Sequence, residues 1–107
     1  MYLTLDAVAK DYQEWADSLF SKTPLSFELE HLRQEVEELT IEYQLYCYDK
    51  ENFSELEDEM ADVFMLALHI AKRLNIDVAK VIARKTAKAK NFEWLPPNEK
   101  GEVYRKK

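Results

Sequence analysis

One glycine in 107 residues, Gly101 near the C-terminus, is the first constraint this chain imposes. Loops that let backbone amides approach a phosphate need glycine where the chain comes close, so P-loop and dinucleotide-binding turns are excluded. Any phosphate chemistry must use side chains or metal ions. One cysteine, Cys47, excludes an internal disulfide framework and fits a reducing compartment such as the cytoplasm. The N-terminus lacks a basic segment followed by a long apolar run, and the longest apolar stretch is Val63 to Leu68. Neither a cleaved signal nor a membrane span is therefore expected. What is present suits one compact domain: 47% of residues are hydrophobic and 34% charged.

Charge is divided along the chain. Residues 1–71 hold 4 Lys/Arg against 17 Asp/Glu, a net of −13, and residues 72–107 hold 11 against 4, a net of +7, which together give −6. A nucleic-acid binder would show a basic face free of competing carboxylates, which this pattern does not provide. An acidic part and a basic part could instead hold a metal–phosphate ligand from two sides, or simply pair with each other as oppositely charged helices.

Apolar spacing predicts four helices. Leu5, Val8, Tyr12, Trp15 and Leu19 mark a helix over 5–21 behind Thr4 as N-cap. Leu29, Leu32, Val36, Leu39, Tyr43 and Tyr46 mark a second over 26–48, with Ser26 as cap. Ser54 and Glu57 have capping-box spacing and open a third, running to Arg73, and Asp77 caps a fourth ending near Asn91. Short connections predict an all-α antiparallel bundle of about four helices. Residues 1–94 read as the helical domain and 95–107, opening Leu95-Pro96-Pro97, as an irregular tail. The third helix is apolar nearly all round after Asp62 and is expected to be buried, in part against another subunit.

The carboxylates carry the chemistry. Glu35, Glu38 and Glu42 fall along one edge of the second helix beside its apolar stripe, and Glu59 and Asp62 are one turn apart on the third. Acidic pairs at this spacing arise by chance in so acidic a chain, as Glu14/Asp17 and Glu55/Asp58 show. The position of Glu35/Glu38 and Glu59/Asp62 at the core boundary of consecutive helices distinguishes them. Converging carboxylates repel, and hard oxygen ligands suit Mg²⁺, with Mn²⁺ as the alternative ion.

Glu35-x-x-Glu38-Leu39, then Glu59-x-x-Asp62 and an apolar run, resembles the metal-binding signature of the MazG-like all-α nucleoside triphosphate pyrophosphohydrolases. Trp15-Ala16, Phe20, Pro24, His31-Leu32-Arg33, Ala61-Asp62-Val63, Lys85, Trp94, Pro97 and Gly101 extend the resemblance toward the phage and bacterial branch described as dATP/dGTP diphosphohydrolases. The resemblance implies Mg²⁺-dependent cleavage of a nucleoside triphosphate between its α- and β-phosphates, and a homodimer or homotetramer. Glu35, Glu38, Glu59 and Asp62 then become the metal ligands, with Glu35 or Glu38 as proton acceptor. Lys85, Lys88 and Asn91 become phosphate contacts and Trp94 a cover for the nucleotide, and His31 is counted with these nucleotide-site residues or orients a carboxylate beside it. The chain departs from relatives at Gln34, where a further glutamate is common, at Ala89 and Phe92, where an asparagine and an arginine are common, and at Tyr104-Arg105, where a histidine tends to stand.

The remaining residues read more simply. Trp15 continues an apolar stripe and is expected in the core, and Tyr43, Tyr46 and Tyr48 with Cys47 are expected at a subunit interface rather than in chemistry. Glu28-x-x-His31 has the spacing of di-iron bundles, but Leu66 precedes His69 where the second motif would need a glutamate. The rival to an enzyme is an oligomeric helical adaptor or inhibitor whose carboxylates form a solvated face. No nucleic-acid or membrane partner is expected.

Overall fold

The computed structural model describes residues 3–107. In chain order it has α1 (Leu5–Phe20), α2 (Leu25–Tyr48), a 3-10 turn (Lys50–Asn52), α3 (Phe53–Arg73) and α4 (Val78–Lys90). The described residues hold no strand beyond an isolated antiparallel bridge between Trp94 and Arg105. None of their helices is long and apolar enough to cross a membrane. The chain divides into a unit ending at Ile76 and a unit Asp77–Lys107.

Local chemistry sets the ends of each helix in the first unit. The Thr4 hydroxyl accepts from the Ala7 amide at 3.1 Å, satisfying one orphan donor of α1. The second helix starts one residue earlier than Ser26 predicts. Pro24 takes the cap position, and its carbonyl accepts from Phe27 at 3.0 Å, which leaves Ser26 inside the first turn. The third helix likewise starts at Phe53 rather than behind a Ser54 cap. Asp49 caps the preceding turn by accepting from the Glu51 amide at 3.0 Å, and the Ser54 hydroxyl donates sideways to Glu55. At its other end α3 closes without glycine: Asn75 adopts φ 57°, and the amides of Asn75 and Ile76 return to the carbonyls of Lys72 and Ala71 at 3.0 and 2.9 Å. Asparagine tolerates this left-handed position better than other side chains do.

A three-residue turn makes α2 and α3 antiparallel neighbours, and α1 packs on α3. Full burial is scarce. Among the described residues Ala16 and Ile70 are the apolar side chains that are fully buried, joined by two polar ones, Glu28 and His69. The expected burial of α3 is therefore corrected within one chain: Phe64 is 56% exposed and Met60 44%. Trp15, expected in the core, is 54% exposed. An amphipathic helix buries only the stripe it can cover with a neighbour, and α3 carries apolar side chains on more faces than α1 and α2 reach. Leu5, Val8, Trp15, Phe64 and Leu68 line an open apolar groove between α1 and α3.

In the second unit, the Asp77 carboxylate caps α4 by accepting from the Lys80 amide at 3.1 Å, as its spacing predicts. The segment after α4 folds back on itself. Leu95 N–H donates to the Tyr104 carbonyl and Lys106 N–H to the Glu93 carbonyl, both at 2.8 Å. Gly101, at φ 79°, makes the reversal between them with its amide on the Asn98 carbonyl. Residues 95–107 contain no helix or strand, yet they pair in register around this turn.

Candidate metal centre

Glu35 and Glu38 come from the middle of α2 and Glu59 from the first half of α3, the two helices that pack most closely. One carboxylate oxygen from each lies within 4.8 Å of the others. Glu35 and Glu59 are half-buried and Glu38 is exposed. Three like charges this close oppose ionisation. Desolvation first, then a hydrogen bond to Glu35 and the charges of Glu38, Glu35 and Asp62, push Glu59 up to about 7. A hydrogen bond between the two carboxyls needs a proton on one of them, because two ionised carboxylates have none to share. Oε2 of Glu35 and Oε2 of Glu59 are otherwise buried without a partner.

The donor set fits a divalent cation. Orphaned buried oxygens lose hydration for nothing in return, and a hard cation bound by carboxylates satisfies them and offsets their repulsion together. Asp62 stands one turn beyond Glu59, outside the trio; its charge acts on Glu59, and it lines a neighbouring cavity with Glu35. Glu42 does not join them, since its Oε2 accepts from the Asn52 amide at 2.7 Å. His31 Nε2 lies 3.1 Å from Glu35 Oε1, so the imidazole fixes one oxygen and leaves Oε2 as the free one.

The cavity has a volume of about 420 Å³, within the range of small-molecule sites. Tyr12, Trp15 and Phe20 of α1 and Phe27 of α2 form its aromatic wall, with Glu28, His31, Glu35 and Asp62 as polar groups. Trp15 and Phe20 meet edge to face at 6.2 Å between centroids. Burial, then the charges of Glu28 and Asp62, raise the Tyr12 phenol above its ordinary value. His69, which also lines the cavity, sits fully buried between two carboxylates, Nε2 at 3.0 Å from Asp17 Oδ1 and Nδ1 at 3.0 Å from Glu28 Oε1. Arg73 Nη1 is 3.1 Å from the same Glu28 oxygen, and Lys72 donates to Asp17.

The sequence reading did not assign Tyr12, Phe27, Glu28 or His69 to a site. Asp17 and His69 are 52 positions apart, so no local spacing signals their contact, and Asp17 belongs to an acidic pair that chance alone explains. Lys85, Lys88, Asn91 and Trp94 lie in the second unit. There the Trp94 indole donates to the Ala89 carbonyl at 2.9 Å, Asn91 ends α4, and Arg105 stacks over Phe92 at 4.3 Å. At the end of α2, Tyr46 meets Phe53 at 5.7 Å and Lys50 at 4.3 Å, while Tyr48 and Cys47 are exposed.

The described residues form an all-α helical bundle around the carboxylate centre. Its structure is similar to that of the MazG-like pyrophosphohydrolase of cyanophage S-2L, which is bound to dGDP and three catalytic Mn²⁺ ions per active site. The two chains share 23% identity with a TM-score of 0.69, covering 99% of this chain and 100% of that one. No family model matches the sequence, and no curated protein does.

Proposed function

We propose that this protein is a divalent-metal-dependent nucleoside triphosphate pyrophosphohydrolase, acting between the α- and β-phosphates to give a monophosphate and pyrophosphate. The observation that carries this reading is the convergence of Glu35, Glu38 and Glu59, with unpartnered buried oxygens, beside an aromatic-walled cavity. The MazG-like fold supports it, and the dGDP held by the solved phage protein is in keeping with purine deoxynucleotides as substrates.

Glu35, Glu38 and Glu59 would hold the ion, Mg²⁺ or Mn²⁺, with Asp62 completing the set on the cavity side. Bound there, a divalent ion supplies positive charge against the triphosphate and lowers the pKa of water. Glu35 or Glu38 accepts the proton of the attacking water through an oxygen not committed to metal. His31 holds the Glu35 carboxylate in one orientation. The wall of Tyr12, Trp15, Phe20 and Phe27 offers stacking surface to a base and excludes water from it. Lys85 and Lys88, one turn apart on α4, serve the departing pyrophosphate as point charges, with Asn91 and Trp94 as further nucleotide contacts.

The working form is a homodimer or homotetramer, because the apolar groove of Leu5, Val8, Trp15, Phe64 and Leu68 needs a partner to leave water. The test is release of monophosphate and pyrophosphate from the standard ribo- and deoxynucleoside triphosphates with Mg²⁺, Mn²⁺ or EDTA. EDTA-sensitive formation of both products is expected. Absence of turnover with either ion overturns the reading in favour of a non-catalytic helical module.

A further inference from the structure

His69 is the largest completely buried side chain among the described residues, and the chemistry proposed above does not use it. An imidazole is a poor core filler unless its ring nitrogens are bonded. Here both meet carboxylates on other helices. From α3 the ring places Nε2 3.0 Å from Asp17 Oδ1 on α1, and Nδ1 3.0 Å from Glu28 Oε1 on α2. Tyr12 of α1 meets the ring edge to face at 6.3 Å between centroids. Two cations of α3 share the carboxylates: Lys72 donates to Asp17, and Arg73 Nη1 lies 3.1 Å from Glu28 Oε1. A neutral imidazole has one N–H and one lone pair, so between two carboxylates it donates to one and turns the lone pair on the other. Hydrogen bonds from Lys72 and then from His69 hold Asp17 below its ordinary value, so it is ionised. A lone pair on Nε2 would face that negative oxygen, and Nε2 therefore carries a proton. Nδ1 stands equally close to Glu28, and the ring that donates to both is the doubly protonated one.

We infer that His69 is a positioning residue for the reaction: donating to Asp17 and Glu28 at once, it fixes α1, and the aromatic wall that α1 carries, against the carboxylates of α2 and α3. The inference rests on the pyrophosphohydrolase reading above and deepens it. Tyr12, Trp15 and Phe20 belong to α1, whereas Glu35 and Glu38 belong to α2 and Glu59 and Asp62 to α3. A nucleotide that stacks on the first group and meets metal at the second spans parts of the fold whose spacing the apolar core sets only weakly, since Ala16 alone of α1 is fully buried.

A rigid ring with a contact on each side sets that spacing. Lys72 also reaches Asp17, but on a flexible four-carbon stem and partly in solvent, where an ion pair fixes little. Loosening α1 weakens the hold on the nucleotide and leaves the acidic centre as it is, so it raises KM more than it lowers kcat.

The experiment measures KM and kcat for the best substrate among the standard triphosphates with Mn²⁺, in the full chain and in Asp17→Ala, Lys72→Met, His69→Asn and His69→Gln, each beside a thermal melt. Asp17 is partly exposed, so Asp17→Ala removes the α1 contact without opening a cavity. It is expected to raise KM about tenfold, the range of one lost hydrogen bond to a charged group, with kcat within about threefold. Lys72→Met is expected to leave KM within about threefold. A Gln amide reaches the place of Nε2 and an Asn amide that of Nδ1, so His69→Gln should stay closer to the parent KM than His69→Asn. Nitrogen NMR of the ring at the assay pH, assigned by its loss in His69→Gln, should show both nitrogens protonated. An unchanged KM in folded Asp17→Ala, or a fall in kcat alone, overturns the positioning role. An equal rise in KM in Lys72→Met overturns it in favour of the lysine. A ring with one protonated nitrogen overturns the double donor. No hydrolysis by the unaltered chain overturns the pyrophosphohydrolase reading and the positioning role with it, while the ring spectrum still decides the bridge between Asp17 and Glu28.

Discussion

At the scale of single residues, the centre combines groups that would each prefer to be elsewhere. Glu38→Gln and Asp62→Asn each remove one negative charge from the acidic group. Turnover is expected to fall by about 100-fold or more, because each variant removes a carboxylate that would hold the metal ion against the triphosphate. Metal-free thermal stability should hold or rise, because repulsion is relieved. Near-full activity in either variant, assayed beside a thermal melt, would remove that residue from the site. Glu59 gives a second prediction. Its folded-state value, about 7, lies above the ordinary 4.5, so the protonated form favours folding. That contribution is complete below about pH 4.5 and is lost as pH rises through 7. With EDTA present, Glu59→Gln should therefore lose less melting temperature than the parent between pH 5 and pH 8. An equal loss in both proteins would show that Glu59 does not titrate there. The acidic trio was legible in the sequence because helical spacing reports which side chains share an edge. Glu28 and His69 were not, because burial of a polar residue depends on what a distant helix brings to it.

Among the elements, helix existence followed from apolar periodicity, whereas helix ends followed from which group reached the orphan amides first. Thr4 and Asp77 lie where a side-chain oxygen is unopposed, and both cap. Ser26 and Ser54 lose to Pro24 and to the Asp49 turn, competition that residue type alone does not reveal. Thr4→Ala should accordingly cost about 1 kcal/mol of stability and Ser54→Ala close to none. Chemical denaturation of the two variants checks the ordering, and equal losses would mean that Ser54 caps after all. The tail after α4 read as irregular because Pro96 and Pro97 suppress both periodicities. Its pairing comes from a reversal at Gly101 that lies four residues beyond Pro97.

For the whole molecule, the limited apolar burial is the dominant fact. A domain of this size usually hides more than Ala16 and Ile70, the apolar side chains fully buried among the described residues, and the groove beside Phe64 is one place where apolar surface stays open. Light scattering after gel filtration should give a mass of two or four chains, and Phe64→Glu should shift it toward one. A monomeric parent protein would overturn the oligomer. Mn²⁺ with a deoxynucleotide should also raise the melting temperature, since ligands that bind only the folded chain stabilise it by mass action. An unchanged melting temperature would speak for a module without a ligand. The fold was legible in outline, but the bare apolar surface was visible only as an over-apolar α3, and sequence could not say which face stays bare.

The tie between His69 and Asp17 also bears on motion. Of the apolar side chains of α1, Ala16 alone is fully buried, so His69 with its neighbour Lys72, both gripping Asp17, anchors α1 to α3 largely through polar contacts. Amides of α1 should then exchange with solvent deuterium together, ahead of those in α2 and α3, as one cooperative opening. The aromatic wall of Tyr12, Trp15 and Phe20 travels with that helix. If α1 opens first, the release of whatever occupies the cavity is coupled to that opening, and protection of α1 against exchange becomes a gauge of occupancy.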